Sequence, residues 1–163
     1  MKITFSPYEP SWFDACRALF ESNCPAFFAS EERQDYEDFL LSQRRHYFVG
    51  LNHGRVACAF GYGAATDDAP SLHWIMVDPS HKGRGLGNAM MQQYIGFLVQ
   101  NRRSRGAIAT SQHAESFFLR YGANRLAFAE NGWGAGMHRI DMTLPISGQP
   151  PELGNTMAEQ LDG

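Results

Sequence analysis

One stretch of twenty residues restricts the fold more than any other: Leu72-His73-Trp74-Ile75-Met76-Val77-Asp78-Pro79-Ser80-His81-Lys82-Gly83-Arg84-Gly85-Leu86-Gly87-Asn88-Ala89-Met90-Met91. A strongly apolar run of strand length ends at Asp78-Pro79. A glycine-rich turn follows and opens directly into a helical pattern, in which Met91, Tyr94, Phe97 and Leu98 share one face. The first N–H groups of a helix have no acceptor within it, and the helix dipole favours negative charge in front of them. Glycines let the backbone close on a phosphate without a Cβ in the way. Lys82 and Arg84 add counter-charge. The segment is therefore a candidate pyrophosphate cradle. A plain loop cap is the alternative, and the strand before, the helix after and the basic pair weigh against it.

Two other phosphate loops do not fit. No Lys-Ser or Lys-Thr follows the glycines, and Gly83, Gly85 and Gly87 are spaced G-x-G-x-G rather than G-x-G-x-x-G. No acidic residue stands about 20 residues further on, where a dinucleotide ribose would need one.

The rest of the chain surrounds this segment with mixed elements. Residues 2–7 read as a first strand. A helix begins at Ser11 with Asp14 in the capping-box position, and Trp12, Cys16, Leu19 and Phe20 form its apolar face. Residues 23–29, with Pro25 and the pair Phe27-Phe28, break it. Ser30 is the expected cap of a second helix, with Glu31 and Glu32 in the first turn. Strands are predicted over 46–51 and 55–62, joined at Asn52-His53-Gly54, then over 71–77. After the glycine turn come a helix over 88–101, a strand over 106–110 and a helix over 113–121 stopped by Gly122. Strands over 125–129 and 138–144 flank a glycine-rich loop, 131–136. This is a mixed α/β order with helices expected on both faces of the middle strands.

Length and composition bound the function. With 163 residues the chain suits one domain, read here as 1–145, and residues 146–163 shift to Gly, Pro, Gln, Asn and Glu as a flexible C-terminal tail. No apolar stretch is long enough to span a bilayer, and residues 1–7 lack a signal-peptide pattern, so a cytoplasmic protein without membrane or nucleic-acid partners is expected. The formal net charge is −3, yet no Asp or Glu falls between residues 79 and 114 while five Lys and Arg do, which suits a small anionic ligand. Cys16, Cys24 and Cys58 are odd in number and lack C-x-x-C spacing. Buried small side chains are expected, not a disulfide framework or a zinc site, and no metal is predicted.

The glycine segment resembles the hallmark of the GNAT acetyltransferases (GCN5-related N-acetyltransferases), a strand ending Val-x-Pro and then [Arg/Gln]-x-x-Gly-x-[Gly/Ala] at a helix start. Here Val77-Asp78-Pro79 precedes Lys82-Gly83-Arg84-Gly85-Leu86-Gly87, with Lys82 at the Arg/Gln position. The element order also matches over about residues 2–144. The resemblance implies the acyl-CoA N-acyltransferase fold: a mixed, mostly antiparallel sheet flanked by helices, with a splayed central strand pair. It implies acetyl-CoA, its pyrophosphate on the amides of Lys82, Gly83, Arg84, Gly85, Leu86, Gly87 and Asn88, and its pantetheine arm along Ile75, Met76 and Val77. Ser111, Phe117 and Phe118 would flank the arm, although Phe117 and Phe118 fit core packing equally.

The implied reaction is acetyl transfer to a primary amine by direct attack. The amine must lose a proton, and backbone N–H groups on the splayed strand stabilise the oxyanion. His73 is the base candidate, and a structural histidine is an equal alternative. Strict alternation places it on the face of Ile75 and Val77, opposite Trp74 and Met76, unless a bulge intervenes. Phe118 stands where the family usually has an acidic tyrosine. Tyr121, one turn later, or Ser111 are the substitutes, or the thiolate leaves unaided. The acceptor, a small molecule or peptide, is expected near Phe27, Phe28, Tyr36 and Trp133. A homodimer stays open. The rivals are a coenzyme A-binding regulatory domain without catalysis, and a nucleotide-phosphate binder.

Overall fold

The computed structural model describes residues 1–42, 46–64 and 66–146. Seven strands form one sheet in the order β1-β2-β3-β4-β5-β7-β6. They are β1 (Thr4–Pro7), β2 (Tyr47–Asn52), β3 (Arg55–Tyr62), β4 (Ser71–Val77), β5 (Arg105–Thr110), β6 (Asn124–Gly134) and β7 (Met137–Pro145). Every neighbouring pair is antiparallel except β4 and β5. The β2–β3 hairpin closes through His53 and Gly54, both at positive φ (49° and 75°), the paired left-handed geometry whose twist suits a two-residue turn.

Helices cover both faces, as the alternation of apolar residues along the strands requires. On one face α1 (Phe13–Ser22) and α2 (Arg33–Leu41) bury Cys16, Phe20, Tyr36 and Leu40 against Tyr47, Val49, Ala59 and Met76. On the other, α3 (Leu86–Gln100) and α4 (Glu115–Leu119) bury Met90, Tyr94, Leu98 and Phe118 against Phe60, Ile108, Ile140 and Met142. Cys16 and Cys58 lie within this core, and burial pushes each thiol up to about 12, which keeps both protonated.

Several local expectations shift. Short 3-10 turns, Pro10–Trp12 and Ser30–Glu32, precede α1 and α2, so neither Ser11 nor Ser30 acts as a side-chain cap. Helix α3 begins at Leu86 rather than 88, because Gly85 takes the left-handed conformation immediately before it. Helix α4 has only five residues, and Gly122 (φ 90°) ends the turn after it. Residues 131–134 belong to β6 instead of a loop. The Asn131 backbone N–H donates to His138 Nδ1, and Asn131 Oδ1 accepts from the Gly136 N–H, which ties the long hairpin together. Of the tail predicted over 146–163, Ile146 instead packs against the α3–α4 core and donates its N–H to Ser104 O at 2.9 Å, and residues 147–163 lie outside the described residues.

Candidate functional site

Strands β4 and β5 pair only at Ser71–Ala107 and Leu72–Ile108. Beyond Leu72 they part, and a cleft of about 1200 Å³ opens between them. At the point of divergence β4 carries a bulge. Ala59 faces Met76 while Gly61 faces His73, so Phe60 alone opposes both Trp74 and Ile75. Trp74 sits at φ 44°, unusual for an aromatic residue. Its carbonyl accepts from the Tyr47 hydroxyl at 2.9 Å, and Tyr47 is in turn hydrogen-bonded to the Tyr36 hydroxyl at 2.8 Å. The carboxyl end of the strand is pinned too, since the Asn23 amide donates to Val77 O at 3.1 Å. The edge of β4 along Ile75 and Met76 thus faces the cleft instead of β5.

The bulge also corrects one expectation. His73 does not share a face with Ile75 and Val77. The extra residue moves it to the α2 face, beside Phe39 with ring centroids 5.9 Å apart, on the side where Met76 is buried. Ile75 and Val77 pack on the opposite cluster with α3 and α4.

The glycine turn stands at the end of β4. Asp78 accepts from the Ser80 N–H at 2.8 Å and starts the 3-10 turn Pro79–His81. Gly83 and Gly85 then take φ 74° and 82°, the left-handed region that glycine enters without strain, and a Cβ on either would meet open space. The first helical amide bound to a carbonyl here is Ala89, which donates to Gly85 O at 3.0 Å. The amides of Leu86, Gly87 and Asn88 precede it at the positive end of a fifteen-residue helix. Gly87 serves a different need: a Cβ there would come within 3.0 Å of Phe117, so its absence lets α3 and α4 meet. Open space before left-handed glycines and unpaired helix amides is a cradle that fits a diphosphate.

The other expected cofactor residues are partly in place. Gly83, Gly85, Leu86, Gly87, Asn88, Ser111, Phe117 and Phe118 line the cleft. Ser111 is 3% exposed, and its Oγ accepts from the His113 N–H. Phe118 is equally buried and packs edge-on to Phe117. Tyr121 lines the cleft and donates its hydroxyl to Asn88 Oδ1 at 2.8 Å, so it stands over the start of α3. Lys82 lines the cleft with its ammonium 3.9 Å from the Phe27 ring centroid, whereas Arg84 is exposed and outside the lining.

Across the sheet the cleft changes character. Phe27, Phe28, Trp74 and Trp133 form its walls. Phe28 and Trp74 lie 5.8 Å apart, the Trp133 indole donates to Thr110 O at 2.8 Å, and Arg139 rests 4.8 Å over the Trp133 ring. Tyr36 is not a wall: it is fully buried beneath Trp74, at a centroid distance of 5.1 Å. One acid of the second-helix cluster Glu31, Glu32, Asp35, Glu37 and Asp38, which in the sequence fits either attraction of a cation or a solvated helix face, belongs to this chamber. Glu32 lines the cleft, is only 6% exposed, and accepts from the Ala29 N–H at 2.8 Å. Burial pushes its carboxyl up to about 7, with Asp35 and Glu31 adding to the rise and the Ala29 N–H opposing it. Its sequence signal was a first-turn acid, which usually marks a solvated helix start.

The site thus joins a parted strand pair to a glycine turn and unpaired helix amides at its end. The model of the acetyltransferase (GNAT) family matches residues 13–123, and the chain belongs to that family. Solved structures with the same fold include the ribosomal-protein-S18-alanine N-acetyltransferase of Escherichia coli, at 22% identity and a TM-score of 0.72, covering 90% of this chain and 95% of that one. Ard1 of Thermoplasma volcanium is similar at 12% identity and a TM-score of 0.74, covering 90% and 99%. Rv2747 of Mycobacterium tuberculosis, solved in complex with CoA, is similar at 13% identity and a TM-score of 0.66, covering 88% and 99%. No curated protein matches the chain in sequence. No helix among the described residues is long and apolar enough to cross a membrane.

Proposed function

We propose that this GNAT acetyltransferase moves the acetyl group of acetyl-CoA to a primary amine by direct attack, with general-base assistance. The observation that carries the reading is the divergence of β4 and β5. It makes one cleft of the glycine cradle at one end and an aromatic, acid-lined chamber at the other.

Acetyl-CoA, when bound, supplies the thioester whose acyl carbon is attacked. The chain's residues divide the remaining work. The amides of Leu86, Gly87 and Asn88 hold the diphosphate, with Lys82 near enough to add charge once it leaves the Phe27 ring. The free edge of β4 beside Ile75 and Met76 pairs with the pantetheine arm and offers N–H groups to the developing oxyanion. Phe117 packs along the arm. His73, directly or through water, takes a proton from the attacking nitrogen. Phe118 holds the position of the family's usual tyrosine and has no proton to give. Tyr121 is the side chain assigned to the leaving thiolate, and Ser111 is the alternative. Much of the rate then comes from positioning.

Thermal-shift titration tests the ligand class. Acetyl-CoA at a hundredfold excess over its Kd is expected to stabilise the fold by about 2.7 kcal/mol, and ATP and NADPH by nothing measurable. Free thiol released on adding amines tests turnover, and His73→Ala is expected to lower kcat/KM while leaving the acetyl-CoA Kd unchanged. A shift with ATP but not acetyl-CoA overturns the reading. The second reading, a coenzyme A-binding regulatory domain, is favoured by Phe118 alone. Stabilisation without thiol release for any amine would select it.

A further inference from the structure

Glu32 has no part in the transfer as assigned so far, yet its position is that of a working group. The 3-10 turn Ser30–Glu32 bends the chain so that Oε2 meets the Ala29 N–H, while the side chain faces the cleft. The cations nearby are engaged elsewhere. Arg33 pairs with Glu21 at 3.0 Å and Glu37 at 3.2 Å, Arg139 with Asp141 at 3.0 Å, and Lys82 lies on Phe27. The chamber around it is closed on the far side by β6, where a Cβ on Gly134 would meet Glu31 Oε2 at 2.8 Å and Ala29 Cβ at 2.9 Å. Phe28 and Trp74 make the apolar wall. A carboxylate this buried, with no cation paired to it among the described residues, suits a cation that arrives and then gives up its charge.

We propose that Glu32 takes the ammonium proton of the acceptor before the attack. This rests on the transferase reading above and deepens it. Turning an ammonium ion into an amide removes two protons from nitrogen. In the first step an N–H bond of the ammonium breaks, its electron pair stays on nitrogen, and an O–H bond forms on Glu32. The second proton goes to His73 as the N–C bond forms and the C–S bond of the thioester breaks, and coenzyme A leaves as the thiol with a proton from Tyr121, which is restored from His73 through solvent. The proton on Glu32 returns to solvent before the next acceptor enters.

The surroundings support this order. Burial lifts the Glu32 carboxyl into the neutral range, so it accepts a proton there without holding it permanently. Glu31 and Asp35 reinforce the rise from its own segment. The Cys24 thiol lies close enough that Glu32 helps raise it. His73 on β4 and the Arg139–Asp141 pair on β7 face the same chamber. Losing water disfavours both ammonium and carboxylate, so transfer to a neutral pair is favoured beside the buried Glu32 carboxyl.

The test uses two amines. A primary alkylamine such as 2-phenylethylamine is an ammonium ion at neutral pH, whereas hydroxylamine is already neutral there. Glu32→Gln retains an oxygen to accept from Ala29 and so preserves the local fold. Its kcat/KM is expected to fall roughly a hundredfold with the alkylamine and less than about tenfold with hydroxylamine. In the wild type, the acidic limb of the alkylamine pH profile should have a midpoint near 7, and Glu32→Gln should lose it while His73→Ala keeps it. Carbon-13 NMR of glutamate-labelled protein gives a readout without turnover: the carboxyl resonance missing from Glu32→Gln should titrate near 7 in the wild type. Equal losses with both amines, or a midpoint in the ordinary carboxylate range below about 5, overturn the proposal alone. Bound acetyl-CoA with no thiol released by either amine overturns the transferase reading and this proposal with it.

Discussion

Gly85 shows how a single residue meets two demands at once. Its φ of 82° is the left-handed geometry that starts α3 directly after the turn, and the space where a Cβ would project is empty. Backbone strain and ligand exclusion are separable there. Asp and Asn both tolerate left-handed backbone better than most residues, at a similar cost of about 1 kcal/mol. Gly85→Asp and Gly85→Asn should therefore lower Tm about equally. The acetyl-CoA Kd should rise more than about a hundredfold for Asp, which puts a like charge before the helix amides, and far less for Asn. Calorimetric titration distinguishes them, and equal Kd values would remove the cradle from the mechanism. Lys82 and Arg84 look alike in sequence as counter-charges, yet only Lys82 lines the cleft.

At the scale of elements, the important event is the bulge in β4 and the hydroxyl pair that supports it. Tyr47 donates to the Trp74 carbonyl, and Tyr36 stands behind Tyr47. Tyr47→Phe leaves that carbonyl without its side-chain donor and the Tyr36 hydroxyl with the Cys16 thiol alone, and a buried group deprived of its partner costs roughly 1–3 kcal/mol. Tyr36→Phe keeps the bond to Trp74 and should destabilise less. Because the bulge lies where β4 leaves β5, Tyr47→Phe is also expected to weaken acetyl-CoA binding and lower kcat, whereas Tyr36→Phe is expected to change Tm only. Denaturant melts together with kinetics on both variants would check this, and identical kinetics would show that the bulge holds without the hydroxyl. The aromatic ring at position 36 has a separate structural part, since it lies stacked on Phe20 and under Trp74.

For the whole molecule, the sheet is one layer interrupted where β4 and β5 part. Backbone groups left unpaired in the cleft should gain a partner when the carrier binds. Hydrogen exchange with and without acetyl-CoA is expected to show new protection at residues 73–77 and 83–88. Strands β1 and β2, paired through four registered positions on the far side of β3, should change little. Uniform protection across the sheet would indicate global stabilisation instead of a seated ligand. The order of elements, the boundaries of β4 and the glycine cradle were legible in the sequence because they depend on local physics: apolar runs, glycine φ freedom and unpaired helix amides. The family's motif at residues 77–87 lies within that same local stretch. His73's face was not legible, because one inserted residue in β4 reverses every side chain before it, and only pairing with β3 reveals the insertion. Tyr36 read as a pocket residue and proved to be buried support, since helix periodicity gives a face but not what lies on top of it. Glu32 could not be told from the acids around it for the converse reason. A first-turn acid is ordinarily solvated, and its burial arises only when the β6–β7 hairpin, a hundred residues further along the chain, folds over it. Local interactions thus determined which elements form and where unpaired helix amides gather, whereas the burial of Tyr36 and Glu32 and the face of His73 were decided by tertiary packing, because desolvation and strand pairing depend on neighbours distant in the chain.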